Sequence, residues 1–328
     1  MKSPITNKEM KLIKEKRSLN FRKESYEIVY HVYLCEESGE RFTDTKLDEL
    51  NTNQVYNKYR EKHNIPFPEE IKQLRENYGL SQNAMSQVLG FGINSYRQYE
   101  SGEIPSSSNA KLIQLADNPN NFIEMLQTCD LMDRKTISKH IKHVQKLIDS
   151  THENSIIDYF LGSNRSDIYS GYRNPNWERF TEMVVFFSEK IQPYKTKMNK
   201  LLFYADFLNF KNYGYSISGM RYNAIPMGPV PNKYQSIYEY LNNNDKIEIE
   251  YKDFGTDISG ELFKSKSDKP FNSGLFTETE LVILESVVDR FKTTSTKDII
   301  EISHQEEAWK QNEKDRSAIS YEYAFEME

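Results

Sequence analysis

The stretch running from Leu80-Ser81-Gln82 through Leu89-Gly90 to Tyr99-Glu100-Ser101-Gly102 constrains this chain more than any other feature. Glycines and cap residues cut it into short helices separated by tight turns. Residues 68–78 read as a first helix with Ile71, Leu74 and Tyr78 on one face, Glu69 and Glu70 near its positive N-terminal end, and Gly79 to end it. Ser81 then serves as N-cap for a second helix over 82–89. Its Met85, Val88 and Leu89 point inward, and Ser86 offers a small side chain at the crossing. Gly90 and Gly92 frame the next turn. A third helix over 93–100 buries Tyr96 and Tyr99 and leaves Asn94, Arg97 and Gln98 on one outer face. Asn and Gln can bond adenine through two hydrogen bonds and Arg can bond guanine, so this face carries base-reading chemistry, while Gln82 and Ser95 suit phosphate. The competing reading of the same pattern is a helical bundle with solvated polar faces.

These residues resemble the lambda-repressor-like (Xre-type) helix-turn-helix domain. The segment from Leu80 to Gly102, continuing through Ile104, Pro105, Leu112, Leu115 and Ala116, is most similar to the version found in MqsA-type antitoxins. In that family an Asn early in the recognition helix and an Arg late in it read the operator. Asn94 matches the first, whereas the late position falls on Gln98 with Arg97 just before it, which leaves both open for the second role. The family also carries a zinc knuckle of two Cys-x-x-Cys pairs ahead of the helical domain. Here Tyr33-Leu34-Cys35-Glu36-Glu37-Ser38-Gly39-Glu40 resembles the second pair with Ser38 in place of a cysteine, and the upstream half has no cysteine at all. A structural zinc site needs about four thiolate or imidazole ligands, so no metal and no other cofactor is expected. His31 and His63 read as isolated surface histidines. Alternating Tyr26, Ile28, Tyr30, Val32 and Leu34 instead predict a strand, Ser38-Gly39 a turn, and residues 47–59 a helix.

At 328 residues the chain has room for two or three domains. No apolar run is long enough to span a bilayer, and the lysine-rich N-terminus lacks the apolar stretch of a secretory signal, so a cytoplasmic protein without membrane association is expected. Two distant cysteines, Cys35 and Cys129, give no disulfide framework. The net charge of −6 argues against a nucleic-acid partner until it is divided along the chain. Residues 1–150 hold 22 Lys and Arg against 21 Asp and Glu, and the remainder holds 21 against 28. The densest basic run, Arg134, Lys135, Lys139, Lys142 and Lys146, falls on a helix and suits either a phosphate backbone or solvent. His140 and His143 on that helix give a weak metal signal by spacing alone.

Residues 162–175 turn to Gly, Ser, Asn and Pro and read as a linker, with a new domain starting near Asn176. Helices are predicted over 177–191 and 198–210, then a break at Met227-Gly228-Pro229-Val230-Pro231. A helix over 232–241, short strands over 247–251 and 260–263, and helices over 277–291 and 295–303 follow. Three blocks here resemble the Panacea (SocA-like) domain of toxin–antitoxin systems: Lys200-Leu201-Leu202-Phe203-Tyr204-Ala205-Asp206, then Gly228-Pro229-Val230 after Tyr222 and Ala224, then Ser303-His304 with Glu307, Ala308 and Trp309. The resemblance implies a neutralising domain that holds a cognate toxin. Candidate toxin contacts are the Gly228-Pro229-Val230 loop, Tyr222, Tyr234 and Trp309, since interface cores are rich in aromatics. The competing enzymatic reading is an acid–base site built from His304, Glu306, Glu307, Asp206 and Tyr204. No phosphate-binding glycine loop, paired metal motif or nucleophile in a recognisable context accompanies it, and His304 is expected to cap or pack a helix end beside Trp309.

The expected architecture is mainly α and multi-domain. It comprises a small α+β N-terminal domain with a degenerate zinc-ribbon-like segment (1–63), a helix-turn-helix domain with a helical extension (64–160), a linker (161–175) and a mostly helical α+β Panacea domain (176–328). The expected function is that of a non-enzymatic antitoxin, which binds operator double-stranded DNA as a homodimer and silences a toxin protein through its C-terminal domain. The rival readings are a repressor of a mobile element without a toxin partner and a protease adaptor.

Overall fold

The computed structural model describes residues 1–150, 155–162, 165–253, 255 and 259–327. The chain is mainly helical with small sheets and divides into two compact units, Met1–Ser155 and Ile156–Glu328. No described helix is long and apolar enough to cross a membrane.

The first unit opens with a long antiparallel hairpin of β1 (Lys11–Phe21) and β2 (Glu24–Leu34), to which the short β3 (Arg41–Phe42) adds at Tyr33 and Leu34. The hairpin turn places Arg22 and Lys23 at φ of 47° and 68°, a conformation usually left to Gly or Asn. It is held by the Arg22 guanidinium, which donates to the carbonyls of Ile104 and Pro105 at 3.0 and 3.3 Å. Helix α1 (Thr45–His63) crosses β2 where β3 does not reach, and its carboxamides complete the ladder. Asn51 exchanges two hydrogen bonds with the His31 backbone at 2.9 Å each, and Gln54 does the same with Val29 at 3.0 and 2.8 Å. Side chains thereby satisfy a strand edge that would otherwise be open to pairing. His31 is buried on β2 rather than exposed, and His63 pairs with Glu24 at 2.8 Å.

Helices α2 (Pro68–Asn77), α3 (Gln82–Val88), α4 (Ser95–Glu100), α5 (Ser107–Ala116), α6 (Pro119–Gln127) and α7 (Arg134–Ser150) follow. One core runs through them from Ile71 and Leu74 to Phe122, Ile137 and Val144. A second joins Tyr26 and Ile28 of the sheet to Val55 and Tyr59 of α1 and to Ile104 and Ala110. The third helix begins two residues later than expected, with Asn94 in the cap position.

In the second unit α8 (Ser155–Leu161) brings Phe160 against Trp177 and Tyr240. Helices α9 (Trp177–Lys190) and α10 (Lys195–Tyr213) come next, then the hairpin of β4 (Tyr222–Ile225) and β5 (Gly228–Pro231). Helix α11 (Tyr234–Asn243), the hairpin of β6 (Ile247–Asp253) and β7 (Ser259–Ser265), and helices α12 (Glu278–Phe291), α13 (Thr296–Gln305) and α14 (Glu307–Lys310) complete it. Helix α10 is the axis: it packs on α9, α12, α13, β5 and β7 and is buried on every side through its middle turns. Two expectations change here. Residues 228–230 form a strand rather than a loop, because Pro229 and Pro231 sit in a two-stranded ribbon where a missing N–H is tolerated. Within the expected linker, residues 163–164 lie outside the described residues, but Ser166, Ser170 and Tyr172 are buried. Ser216 donates to the Ser170 carbonyl at 2.8 Å and Asp167 pairs with Arg221 at 2.6 Å, which wedges the segment into the second unit.

Replacing Asn51 with Leu strips the His31 N–H and C=O of their partners. The expected loss is about 1–3 kcal/mol per unsatisfied group, read as a lower urea midpoint for the first unit; an unchanged midpoint refutes the role assigned to the carboxamide.

Candidate functional site

In the first unit, the turn between α3 and α4 is fixed from inside. Tyr96 is fully buried, donates its hydroxyl to the Ile71 carbonyl of α2 at 2.7 Å, and has its own N–H bound by Ser86 Oγ of α3 at 3.2 Å. Arg75 of α2 holds Glu100 of α4 at 2.5 Å, and Gln82 donates to the same carboxylate at 2.5 Å. Ser81 caps α3 by accepting from Ala84 N at 3.2 Å. What this framework leaves outward is Asn94, Arg97 and Gln98, all exposed, with Ser95 half-buried beside them. Asn94 makes no side-chain cap bond, and among the described residues Arg97 enters no ion pair. Of the expected DNA-contacting residues, Asn94, Arg97 and Gln98 therefore share a free face, whereas the Gln82 amide is engaged with Glu100 and is not free to reach a phosphate as it stands. Ile93, which carried no chemical signal in the sequence, is 70% exposed beside Asn94.

Helix α7 docks on this framework through Ile137 and Val144, and His143 Nε2 lies 3.2 Å from the Asn77 carbonyl at the turn before α3. Its opposite face carries Lys135, Lys139, Lys142 and Lys146, which line an open hollow of about 930 Å³ with Asp133 and His143. Burial, with Lys139 and His143 nearby, holds His140 below the usual histidine range. Among the described residues no group of three or more His, Cys, Asp or Glu is arranged to hold a metal.

In the second unit the three sequence blocks meet through buried polar contacts made by α10. Lys200 Nζ donates to the Pro229 carbonyl at 2.9 Å. The Tyr204 hydroxyl donates to Glu306 Oε1 at 3.1 Å. Asp206, fully buried, accepts from the Ile217 and Ser218 backbone N–H groups at 2.8 and 2.7 Å, from the Ser218 hydroxyl at 2.5 Å and from the Tyr222 hydroxyl at 2.7 Å. Burial pushes the Asp206 carboxyl up, and the four donors act against that push. Burial pulls the Lys200 ammonium down to about 7. Burial and then Lys200 hold His304 below its usual range, and its ring stacks on Trp309 with centroids 3.8 Å apart. The Trp309 indole N–H donates to the Ile225 carbonyl at 2.8 Å, so the third block grips the β4–β5 hairpin just before its tip.

This placement revises the expected toxin contacts. Tyr222 is fully buried on Asp206, and Gly228, Pro229 and Val230 are buried against α10, so none of these four offers a side chain to a partner. Tyr234 and Trp309 are half-exposed. Trp309 flanks the hairpin tip, whereas Tyr234 opens α11 beyond the other end of β5; the tip itself presents Met227, 49% exposed, which sequence reasoning passed over because a lone methionine beside Gly-Pro carries no signal. Lys200, Tyr204, Asp206 and Glu306 spend polar atoms on buried bonds that hold the three blocks together.

Gly228 sits at φ +92°, and a methyl group built there would lie 2.5 Å from Lys200 Cε and 2.6 Å from Ser303 Oγ. Gly228→Ala is expected to destabilise the second unit by at least ~1–3 kcal/mol, seen as an earlier urea transition; a neutral result contradicts the close packing. Lys200 also sets a pH dependence. Its folded value of about 7 lies below its ordinary 10.5, so the unfolded chain binds more protons between the two and stability rises with pH across that window. Lys200→Met is expected to remove most of the rise in urea midpoint between pH 7 and pH ~9. An undiminished rise would assign it to other groups.

Two family profiles match the chain. Residues 1–127 match the antitoxin component of bacterial toxin–antitoxin systems, MqsA, and residues 198–310 match the antitoxin SocA-like, Panacea domain. No curated protein and no solved structure matches it. Helix α7 lies between the two matched regions, and the buried contacts of Lys200, Tyr204 and Asp206 fall inside the second. The chain thus carries an MqsA antitoxin domain and a SocA-like Panacea antitoxin domain fused in one polypeptide.

Proposed function

We propose that this protein is a bifunctional antitoxin: its first unit binds the operator of its own operon as a homodimer, and its second unit binds and silences a toxin. The observation that carries the reading is the joining of two antitoxin domains of different type in one chain. The α3–α4 segment acts as the helix-turn-helix, with α4 entering the major groove. Asn94, Arg97 and Gln98 read base edges there, Ser95 meets phosphate, and Ile93 lies against a thymine methyl. Lysines 135, 139, 142 and 146 on α7, beside the turn that precedes α3, add contacts to the flanking phosphates. In the second unit the toxin packs on the β4–β5 tip, with Met227 as an apolar anchor and Trp309 beside it, and extends along the hairpin to Tyr234 at the start of α11.

The division of labour is testable in one experiment with two readouts. Asn94→Ala, Arg97→Ala and Gln98→Ala together are expected to abolish the operator shift and leave protection from the toxin intact. Met227→Glu with Tyr234→Ala is expected to do the reverse. Either set failing in both assays while folded sinks the assignment. Glutamine at the four α7 lysines is expected to weaken operator and random DNA alike and to reduce the salt slope by ~0.9 for each phosphate that is no longer neutralised. An unchanged slope removes α7 from the interface.

A further inference from the structure

Two turns at the same end of the N-terminal sheet, one before β1 and one after β2, are built alike. In the first, the Ser3 N–H donates to the Lys8 carbonyl at 2.8 Å and the Asn7 N–H to the Ser3 carbonyl at 2.9 Å. In the second, the Cys35 N–H donates to the Glu40 carbonyl at 2.9 Å and the Gly39 N–H to the Cys35 carbonyl at 2.8 Å. Each turn thus runs from residue i with the same two backbone bonds, and each puts its fifth residue at positive φ, 58° for Asn7 and 70° for Gly39. The side-chain bonds repeat as well. The Thr6 N–H points at Ser3 Oγ as the Ser38 N–H points at the Cys35 sulfur, and the Lys8 N–H reaches Thr6 Oγ1 at 3.5 Å as the Glu40 N–H reaches Ser38 Oγ at 3.3 Å. The pairs Ser3-x-x-Thr6 and Cys35-x-x-Ser38 share the two-residue spacing of a Cys-x-x-Cys knuckle.

The two turns close on each other. Thr6 Oγ1 lies 3.3 Å from Cys35 Sγ, and Ser3 and Ser38 also direct hydroxyls at that sulfur. Ser3, Thr6 and Ser38 each accept an N–H from their own turn, which leaves each O–H free to donate to the thiol. The Ser3, Ser38 and Thr6 hydroxyls together bring the Cys35 thiol down to about 6, and the residue is buried.

One sulfur and three alcohol oxygens do not fit a structural zinc ion, which takes thiolate, imidazole or carboxylate donors. Among the described residues no group of three or more His, Cys, Asp or Glu is arranged to hold a metal, and His63 is paired with Glu24. We infer that this is a zinc-knuckle pair converted into a metal-free clamp, in which the Ser3, Thr6 and Ser38 hydroxyls close on the Cys35 sulfur and join the two turns as a metal ion would. The two turns keep the spacing of a knuckle pair, but three of the four donor positions carry hydroxyls. The inference stands apart from the assignment of partners to the two units.

The full chain, purified without chelator from zinc-supplemented cells, is expected to contain no stoichiometric zinc and to melt at the same temperature with and without EDTA. Ser3→Cys, Thr6→Cys and Ser38→Cys together restore four thiols at knuckle spacing. That variant is expected to bind one Zn²⁺ per chain and to show the visible absorption of a tetrahedral thiolate–Co²⁺ complex when Co²⁺ is supplied. Thr6→Val, close in shape but without the hydroxyl, is expected to lower the melting temperature by about 2–4 °C. Stoichiometric zinc in the unaltered chain, or a melting point lowered by EDTA, overturns the inference. So does a folded triple-cysteine variant that takes up neither ion. If the triple variant does not fold, the EDTA comparison and Thr6→Val still decide it.

Discussion

A carboxylate taken wholly out of water must be answered by donors, and Asp206 collects four of them from the segment spanning residues 217–222. That requirement organises the second unit. To meet it, the chain after α10 turns back over the helix, brings Tyr222 into the core and starts the β4–β5 hairpin from there. Lys200, six residues earlier on the same helix, then fixes the returning strand through the Pro229 carbonyl. Tyr204, between them, reaches Glu306 ahead of the last helix. One helix therefore holds three distant stretches of sequence by three buried polar groups. Such bonds add little net stability each, but leaving any of them unmade costs more, so they specify one arrangement.

The consequence for function is a separation between the residues that mark the domain and the residues available to a partner. The marking residues are consumed internally, and their product is a hairpin tip held from behind by Trp309 and His304. The first unit follows the same logic. Tyr96, Ser86, Arg75 and Glu100 fix the α3–α4 turn from within, and the residues they leave outward are the polar ones of α4. In both units buried polar bonds anchor an exposed segment from within, and a segment anchored beforehand has less ordering entropy to lose on binding a partner.

Much of this was legible in the sequence because helix caps and apolar periodicity carry strong local signals. Ser81, Gly79 and the spacing of Ile71, Met85 and Tyr96 located α2 to α4 within two residues, and the three blocks of the second unit identified its family. What stayed hidden depended on pairing across distance. Strand β1 alternates Lys, Glu and Arg with few apolar residues, and its turn uses Arg22-Lys23 where Asn-Gly would have advertised a hairpin. Tyr222 looked like an interface aromatic because nothing in the chain announces that Asp206, sixteen residues earlier, lies beneath it. Ser3 and Thr6 were silent for the same reason, since two hydroxyls near a terminus acquire meaning only once Cys35 is seen between them.

If one chain both silences a toxin and reads DNA, the complex that it forms in its own cells contains the toxin, and the composition of that complex decides the matter. Tagged full-length protein is expected to co-elute at near-equal stoichiometry with a single small protein encoded beside it, one that arrests growth when expressed alone and not when expressed with this chain. A homo-oligomer that carries DNA and no second protein, beside a neighbouring gene that cells tolerate unprotected, would rule out the toxin partner and leave a repressor.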